Sequence, residues 1–281
     1  MGQPAAAPAG PSAAGAIKVK PALRGVSHHF AAVAALAAGI MLVLDAPSSR
    51  ARLACAVYTA TVTAMLSVSA LYHVPTWSLQ ARKLLRRADH CTIFLQIAGT
   101  YTPICLLGCA PAVGTRLLAT VWAGATAGVT QSLFFPHAPK AVGAVIYVVL
   151  GWAAVPYAAE IKASMPTAVT VLIVAGGLSY SIGVSRGRWR GWGGIGRQQP
   201  ALPPQPHARR VRAAAAAPSP EFDRALTRPP QAAVYAARWP DPAPATFGYH
   251  EVFHALVVLA AALHFAAVYL VAHSPRPLNK P

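Results

Sequence analysis

Phe247–His264 reads FGYHEVFHALVVLAAALH, and this stretch decides how the rest of the chain is understood. His250 and His254 lie four residues apart, so on a helix they share one face with a rise of roughly 6 Å, close enough to bind one metal ion. In isolation H-E-x-x-H suggests a soluble zinc peptidase with Glu251 as base. The residues after His254 argue otherwise, because Ala255–Ala272 is apolar apart from His264 and reads as a membrane span. The histidine pair therefore sits near a membrane boundary, where an ionisable side chain is costly and marks function by default. Two interfacial histidines that only hydrogen-bond are the bland alternative.

The whole chain agrees with a membrane reading. Of its 281 residues 55 % are hydrophobic and 11 % charged, and mean hydropathy is +0.45, more apolar than a soluble globular domain. The net charge of +17 invites a nucleic-acid partner, but Lys and Arg lie between apolar blocks and in one insert, as in membrane flanks. No nucleic-acid partner is expected; membrane lipid is. Cys55, Cys91, Cys105 and Cys109 fall within or at the ends of apolar segments without C-x-x-C spacing, so no disulfide or zinc-finger framework is read. Residues 1–23 read as a disordered tail, with no signal-peptide core and no Ser or Thr at the sixth position for myristoylation.

Apolar blocks near the roughly 20 residues a bilayer requires place spans at about 26–44, 53–72, 88–107, 117–135, 141–157 and 167–183, with the histidine helix as the seventh. The fifth block is short. Trp77–Arg87, WSLQARKLLRR, reads as a separate amphipathic stretch on the membrane surface. With the N-terminus cytoplasmic, inside segments hold Lys18, Lys20, Arg24, Arg82, Lys83, Arg86, Arg87 and Lys140, against Arg50, Arg52, Arg116, Lys162, Arg276 and Lys280 outside. That bias favours N-in, C-out. Spans two, three and seven then bring His73, Asp89, His250 and His254 to one membrane depth.

A catalytic zinc site keeps three protein ligands and one open position. His73, His250 and His254 supply three imidazoles, and Asp89 is placed to hold a water and take its proton, or else to serve as a first-turn acid of its helix. Ser69, one turn before His73, faces the same cavity, or bonds only to its own helix backbone. His90 points roughly 100° from Asp89 and reads as interfacial. His264 lies roughly 21 Å deeper than His250, too far for the same metal, and an interhelical hydrogen bond is expected of it. His28 approaches from span one and reads as a structural histidine. Glu251 projects off the His250/His254 face, against a role as base.

Ser69-x-x-x-His73, Asp89-His90-Cys91-Thr92-Ile93-Phe94-Leu95, Ala98-Gly99-Thr100-Tyr101-Thr102-Pro103 and His250-Glu251-x-Phe253-His254 together resemble the hemolysin III branch of the progestin and adipoQ receptor family, as does Arg24-Gly25-Val26-Ser27-His28. The resemblance implies an all-α integral membrane protein with a seven-transmembrane helix bundle, N-in topology and a zinc ion near the cytoplasmic side. Matched residue by residue, His73, His250 and His254 correspond to the zinc ligands, Asp89 to the water-holding acid and Ser69 to the motif serine. The family is grouped with the alkaline ceramidases among membrane metal-dependent hydrolases, and its mammalian receptor members show ceramidase-type activity. The implied function is zinc-dependent hydrolysis of a lipid amide or ester, with Asp89 and Ser69 as catalytic residues and Zn2+ as cofactor. Two alternatives stay open: a receptor or membrane-organising protein with structural zinc, and a pore-forming haemolysin, for which no amphipathic span or charged lumen lining is evident. The expected location is a multi-pass position in the plasma membrane; substrate and oligomeric state are not legible.

Residues 184–231 break the pattern with nine Arg, no Lys, many Pro and Gly and no apolar period, and are expected to be a disordered insert. Deleting them joins GGLSYSIG to AAVYAARWPDPAPATFGYHEVFH, restoring the run between spans six and seven. Val184-Ser185 is encodable as a splice donor and Pro229-Pro230-Gln231 as an acceptor tract, and the 48 codons keep frame, which points to a translated retained intron in a GC-rich eukaryotic gene. Its nine Arg minus Glu221 and Asp223 carry seven of the +17 charges, leaving about +10 for ordinary flanks. The membrane domain is thus 24–183 plus 232–273, with 232–238 resuming as a short helix and 274–281 as a tail.

Overall fold

A computed structural model describes residues 20–135, 140–184, 240–243 and 245–274. Among these it is helical throughout, apart from turns and one isolated bridge between Ala243 and Phe247. The helices are α1 (Val26–Asp45), α2 (Ser49–His73), α3 (Leu79–Pro103), α4 (Pro111–Phe134), α5 (Lys140–Gly151), α6 (Ala158–Ser164), α7 (Thr167–Val184) and α8 (Tyr249–His273). The insert, apart from Val184, and the helix expected over 232–238 lie outside the described residues.

Local chemistry explains the main boundaries. Ser48 caps α2 by accepting from Ala51 N at 3.2 Å, and Ser78 caps α3 by accepting from Ala81 N at 3.3 Å. Pro111 starts α4 at a position where its missing N–H costs nothing. Pro103 ends the regular part of α3, and the chain continues as a π-helical turn over Ile104–Gly108.

Six helical segments among the described residues are long and apolar enough to cross a membrane: Val26–Asp45, Ser49–His73, Leu79–Gly108, Pro111–Phe134, Val145–Ser164 and Tyr249–His273. The chain is an integral, multi-pass membrane protein. Two expectations are corrected in detail. Trp77–Arg87 is not a separate surface element: from Leu79 it forms the first turns of α3, with no Gly or Pro between Leu79 and Asp89 to break the helix. The fifth block, expected over 141–157, is not one continuous helix: α5 ends at Gly151, a 3-10 turn follows at Val155–Tyr157 around Pro156, and the apolar segment extends beyond the block through α6 to Ser164. The block expected as span six forms α7, whose apolar stretch Thr167–Ile182 is shorter than the other six.

The bundle is arranged for lipid rather than water. Phe30 is 68 % and Leu44 73 % exposed along α1, and Leu53, Phe134 and Val149 are likewise exposed, so large apolar side chains cover the outside. Tyr58, Phe94, Leu66, Leu117 and Val121 fill the inside. Polar side chains act as interhelical ties, as expected where hydrophobicity gives no preference between helix and lipid. The Tyr58 hydroxyl donates to Ala261 O at 3.1 Å, joining α2 to α8, and the Ser179 hydroxyl donates to Leu256 O at 2.9 Å, joining α7 to α8. His264 Nε2 lies 3.2 Å from Ile173 O, the interhelical bond expected of it, and its ring presses on Gly176, where a Cβ would collide with it. Helices α1, α2, α3 and α8 pack together, which gathers the start of α1, the end of α2 and the start of α8 at one end of the bundle.

Candidate metal centre

At that end α2 terminates in His73 while α8 begins with His250 in its first turn. The i, i+4 spacing puts His250 and His254 on one face, their ring centroids 4.5 Å apart, and the bundle brings His73 against both at 4.6 and 5.0 Å. One nitrogen from each of the three rings falls within 4.8 Å of the others. His250 and His254 are 4 % and 1 % exposed, and His73 is partly buried. This is the only group of three or more such side chains gathered closely enough to hold a metal ion among the described residues.

The donor set fits a metal. His254 Nδ1 is buried with no hydrogen-bond partner, a loss of about 1–3 kcal/mol that a bound ion would offset. Imidazole nitrogens suit zinc and other borderline divalent ions, so the set admits a metal without naming it.

Asp89, in the third turn of α3, is not a member of the three-histidine group; the buried Ser69 hydroxyl of α2 lies close to its carboxyl. Ser69 stands one turn before His73 on α2, so α2 carries both a member of the histidine group and the contact to the acid. His90 is exposed, and its carbonyl accepts from the Tyr147 hydroxyl at 3.0 Å.

The approach of His28 was expected from the sequence, but its stacking was not, nor was the partner of Glu251. His28 is 2 % exposed and stacks on His254, with ring centroids 3.9 Å apart and planes within 8°. The His254 backbone approaches the His28 ring, yet neither ring nitrogen makes a hydrogen bond of ordinary geometry. Parallel rings have no common in-plane point nearby, so His28 in this position does not share an ion with His254. Glu251 pairs with Arg24 and accepts from Gly248 N at 2.8 Å at the start of α8. The H-E-x-x-H peptidase pattern conceals this, since Glu251 faces an arginine 227 residues earlier. Its place off the histidine face was legible; its partner was not.

The segment before α1 lies across the site. Ala22 N donates to Ala245 O at 3.1 Å and Leu23 N to Thr246 O at 3.2 Å. The Lys20 ammonium donates to Val74 O at 2.6 Å, directly after His73, and its pKa is held below the usual lysine range by partial burial and then by Arg24 and Arg82.

The sequence pattern described as "Haemolysin-III related" matches residues 17–185, well over half of the chain. The chain belongs to the haemolysin-III related family. The match ends at the edge of the anomalous insert and contains Ser69, His73 and Asp89, while His250 and His254 lie beyond it. Family relatives include Hemolysin-3 of Bacillus cereus, 29 % identical over 161 residues, or 56 % of this chain and 73 % of that protein. The Hemolysin-3 homolog of Bacillus subtilis is 32 % identical over 111 residues, covering 40 % of this chain and 52 % of that one. This haemolysin-III related protein thus has a multi-pass helical body with three histidines gathered at one end.

Proposed function

We propose that this chain is a seven-span membrane protein, N-terminus cytoplasmic and α7 as its sixth span, that hydrolyses a lipid amide or ester with zinc held by His73, His250 and His254. The observation that carries the reading is the convergence of three imidazoles from two helices within 4.8 Å, with Ser69 one turn before His73 on α2 and close to Asp89 of α3. Zinc in such a site supplies Lewis-acid polarisation of a carbonyl and acidifies water. Asp89 accepts the proton of the attacking water on a carboxylate oxygen, and the Ser69 hydroxyl orients that carboxyl. As the new C–O bond forms and the C–N or ester C–O bond breaks, Asp89 returns the proton to the leaving group. The apolar faces of the helices hold the acyl chain. His28 lies parallel to His254 and so does not close the coordination sphere, which favours an open, catalytic position.

The second reading is a receptor or membrane-organising protein in which zinc only ties α2 to α8. It is supported by the origin of the ligands, one helix end on each side. A pore, which the names of the bacterial relatives suggest, has less support, because the polar side chains of Tyr58, Ser179 and His264 tie helices together rather than line a lumen.

Elemental analysis of detergent-purified protein, followed by turnover of ceramide and lipid esters, separates the readings. Near-stoichiometric zinc in wild type, lost in His250→Ala and kept without turnover in Asp89→Asn, is the expected result. Well-folded wild type without zinc removes the hydrolase reading. Full turnover by Asp89→Asn removes the role assigned to that acid, and a His73→Ala protein that unfolds rather than falls silent favours structural zinc.

A further inference from the structure

Arg24 lies outside the histidine group, yet it belongs to a short segment that touches both halves of it. Residues 20–25 precede α1 and run beside the loop that leads into α8. On the α2 side, Lys20 bonds the carbonyl of Val74, next to His73, and Gly25 packs so closely on His73 that a Cβ there would stand 2.6 Å from His73 Cβ. On the α8 side, Arg24 pairs with Glu251, which sits between His250 and His254 in sequence and caps the helix through Gly248 N. Glu251 is 2 % exposed, and the Arg24 side chain is 20 % exposed, so the pair is shielded from water and held at both ends.

We propose that Arg24 is a positioning residue for the metal centre: through Glu251 it fixes the first turn of α8 against the end of α2, and thereby sets the spacing of His250 and His254 relative to His73. The proposal rests on the reading that these three histidines hold a metal. The physical need is plain. First turns of helices fray, because their backbone N–H groups have no partners within the helix, and α8 places one ligand in that turn. Metal–nitrogen distances tolerate only about 0.2 Å, and the α2–α8 tie at Tyr58 and Ala261 lies well along both helices from the ligand-bearing ends, leaving the first turn of α8 to be held locally. A shielded ion pair between the strap and the carboxylate beside His250 holds that turn before metal arrives, so the site is built in the metal-free protein.

The test is zinc affinity, measured on the full-length chain in detergent by competition with a chromophoric chelator, well below the unfolding temperature of each metal-free protein. Arg24→Gln is expected to bind zinc at least about tenfold more weakly than wild type, in line with losses of supporting contacts around metal ligands. Arg24→Lys, which keeps the charge, recovers part of that loss. Glu251→Gln, which retains an oxygen for Gly248 N but not the charge, is expected to weaken zinc similarly and serves if Arg24→Gln does not fold. The control is Asp45→Asn, which removes the charge from the Asp45–His273 pair (3.1 Å) between the end of α1 and the end of α8, away from the histidine group. Its zinc affinity should equal that of wild type. Wild-type affinity in the folded Arg24→Gln or Glu251→Gln protein overturns the proposal, as does an equal loss in Asp45→Asn, since the effect would then be general loosening. Wild type that takes up no zinc overturns the metal reading itself, and this proposal with it.

Discussion

Gly25→Ala is the substitution whose effect can be worked most directly from the structure. Gly25 precedes α1 with φ of 80°, in the left-handed region. An alanine there costs about 1–2 kcal/mol in backbone strain alone. Its Cβ would also stand 2.6 Å from His73 Cβ, 3.2 Å from Val74 Cγ2 and 3.4 Å from the His73 carbonyl carbon. Ordinary carbon contacts lie at about 3.5–4.0 Å, so the start of α1 and the end of α2 must part by roughly 1 Å. The nearest atom is a β-carbon and cannot swing aside as the tip of a flexible chain would. A displacement of that size exceeds the tolerance of about 0.2 Å for metal–ligand distances several times over. Gly25→Ala should therefore lose thermal stability in detergent and bind zinc at least about tenfold more weakly. Gly25→Asn separates the two causes, because asparagine accepts the left-handed backbone more readily but carries the same Cβ. It should regain stability relative to alanine while keeping most of the defect in zinc binding. Wild-type stability and zinc affinity in Gly25→Ala would refute the reasoning, for the close approach to His73 would then be of no consequence.

The interhelical ties yield further expected outcomes. Tyr58→Phe removes the hydroxyl that reaches Ala261 O and should lower unfolding stability by about 0.6–1.7 kcal/mol without changing zinc content. His264→Leu loses the bond to Ile173 O and should destabilise the α7–α8 pair by a similar amount while metal content stays at wild-type level, which elemental analysis checks. Gly176→Leu, which forces a side chain into the His264 ring, should be more damaging than His264→Leu in the same unfolding assay. If residues 184–231 are a retained intron, amplification across that junction from mature transcript should yield a product lacking the 48 codons; a long form alone would refute it.

Much of this site was legible because helical periodicity and membrane thickness are local rules. His250 and His254 face one way by spacing alone, and the parity of the apolar blocks places His73 and Asp89 at the same depth. The interhelical role of His264 came from its distance along one helix, and its bond to Ile173 O bears that out. Where the reading of Trp77–Arg87 and of the fifth block went astray, the reason is also local. Amphipathic composition does not stop a helix, and Leu79 runs on into Asp89 because nothing in between breaks it; Pro156, by contrast, interrupts a block that is apolar throughout.

The pairings across the bundle belong to another category. Arg24 and Glu251 are 227 residues apart, and His28 meets His254 only because α1 and α8, the first and last helices described, lie side by side. In a membrane, lipid covers any apolar face equally well, so the pattern of apolar residues tells that a helix spans without telling which helix it touches. By itself the sequence determined the helical membrane class, the family resemblance and the faces on which the histidines stand, since each depends on neighbours along one helix. The meeting of three imidazoles, the strap that braces them and the parallel stack of His28 were decided by the tertiary structure, because polar ties and close packing between distant segments choose the neighbours.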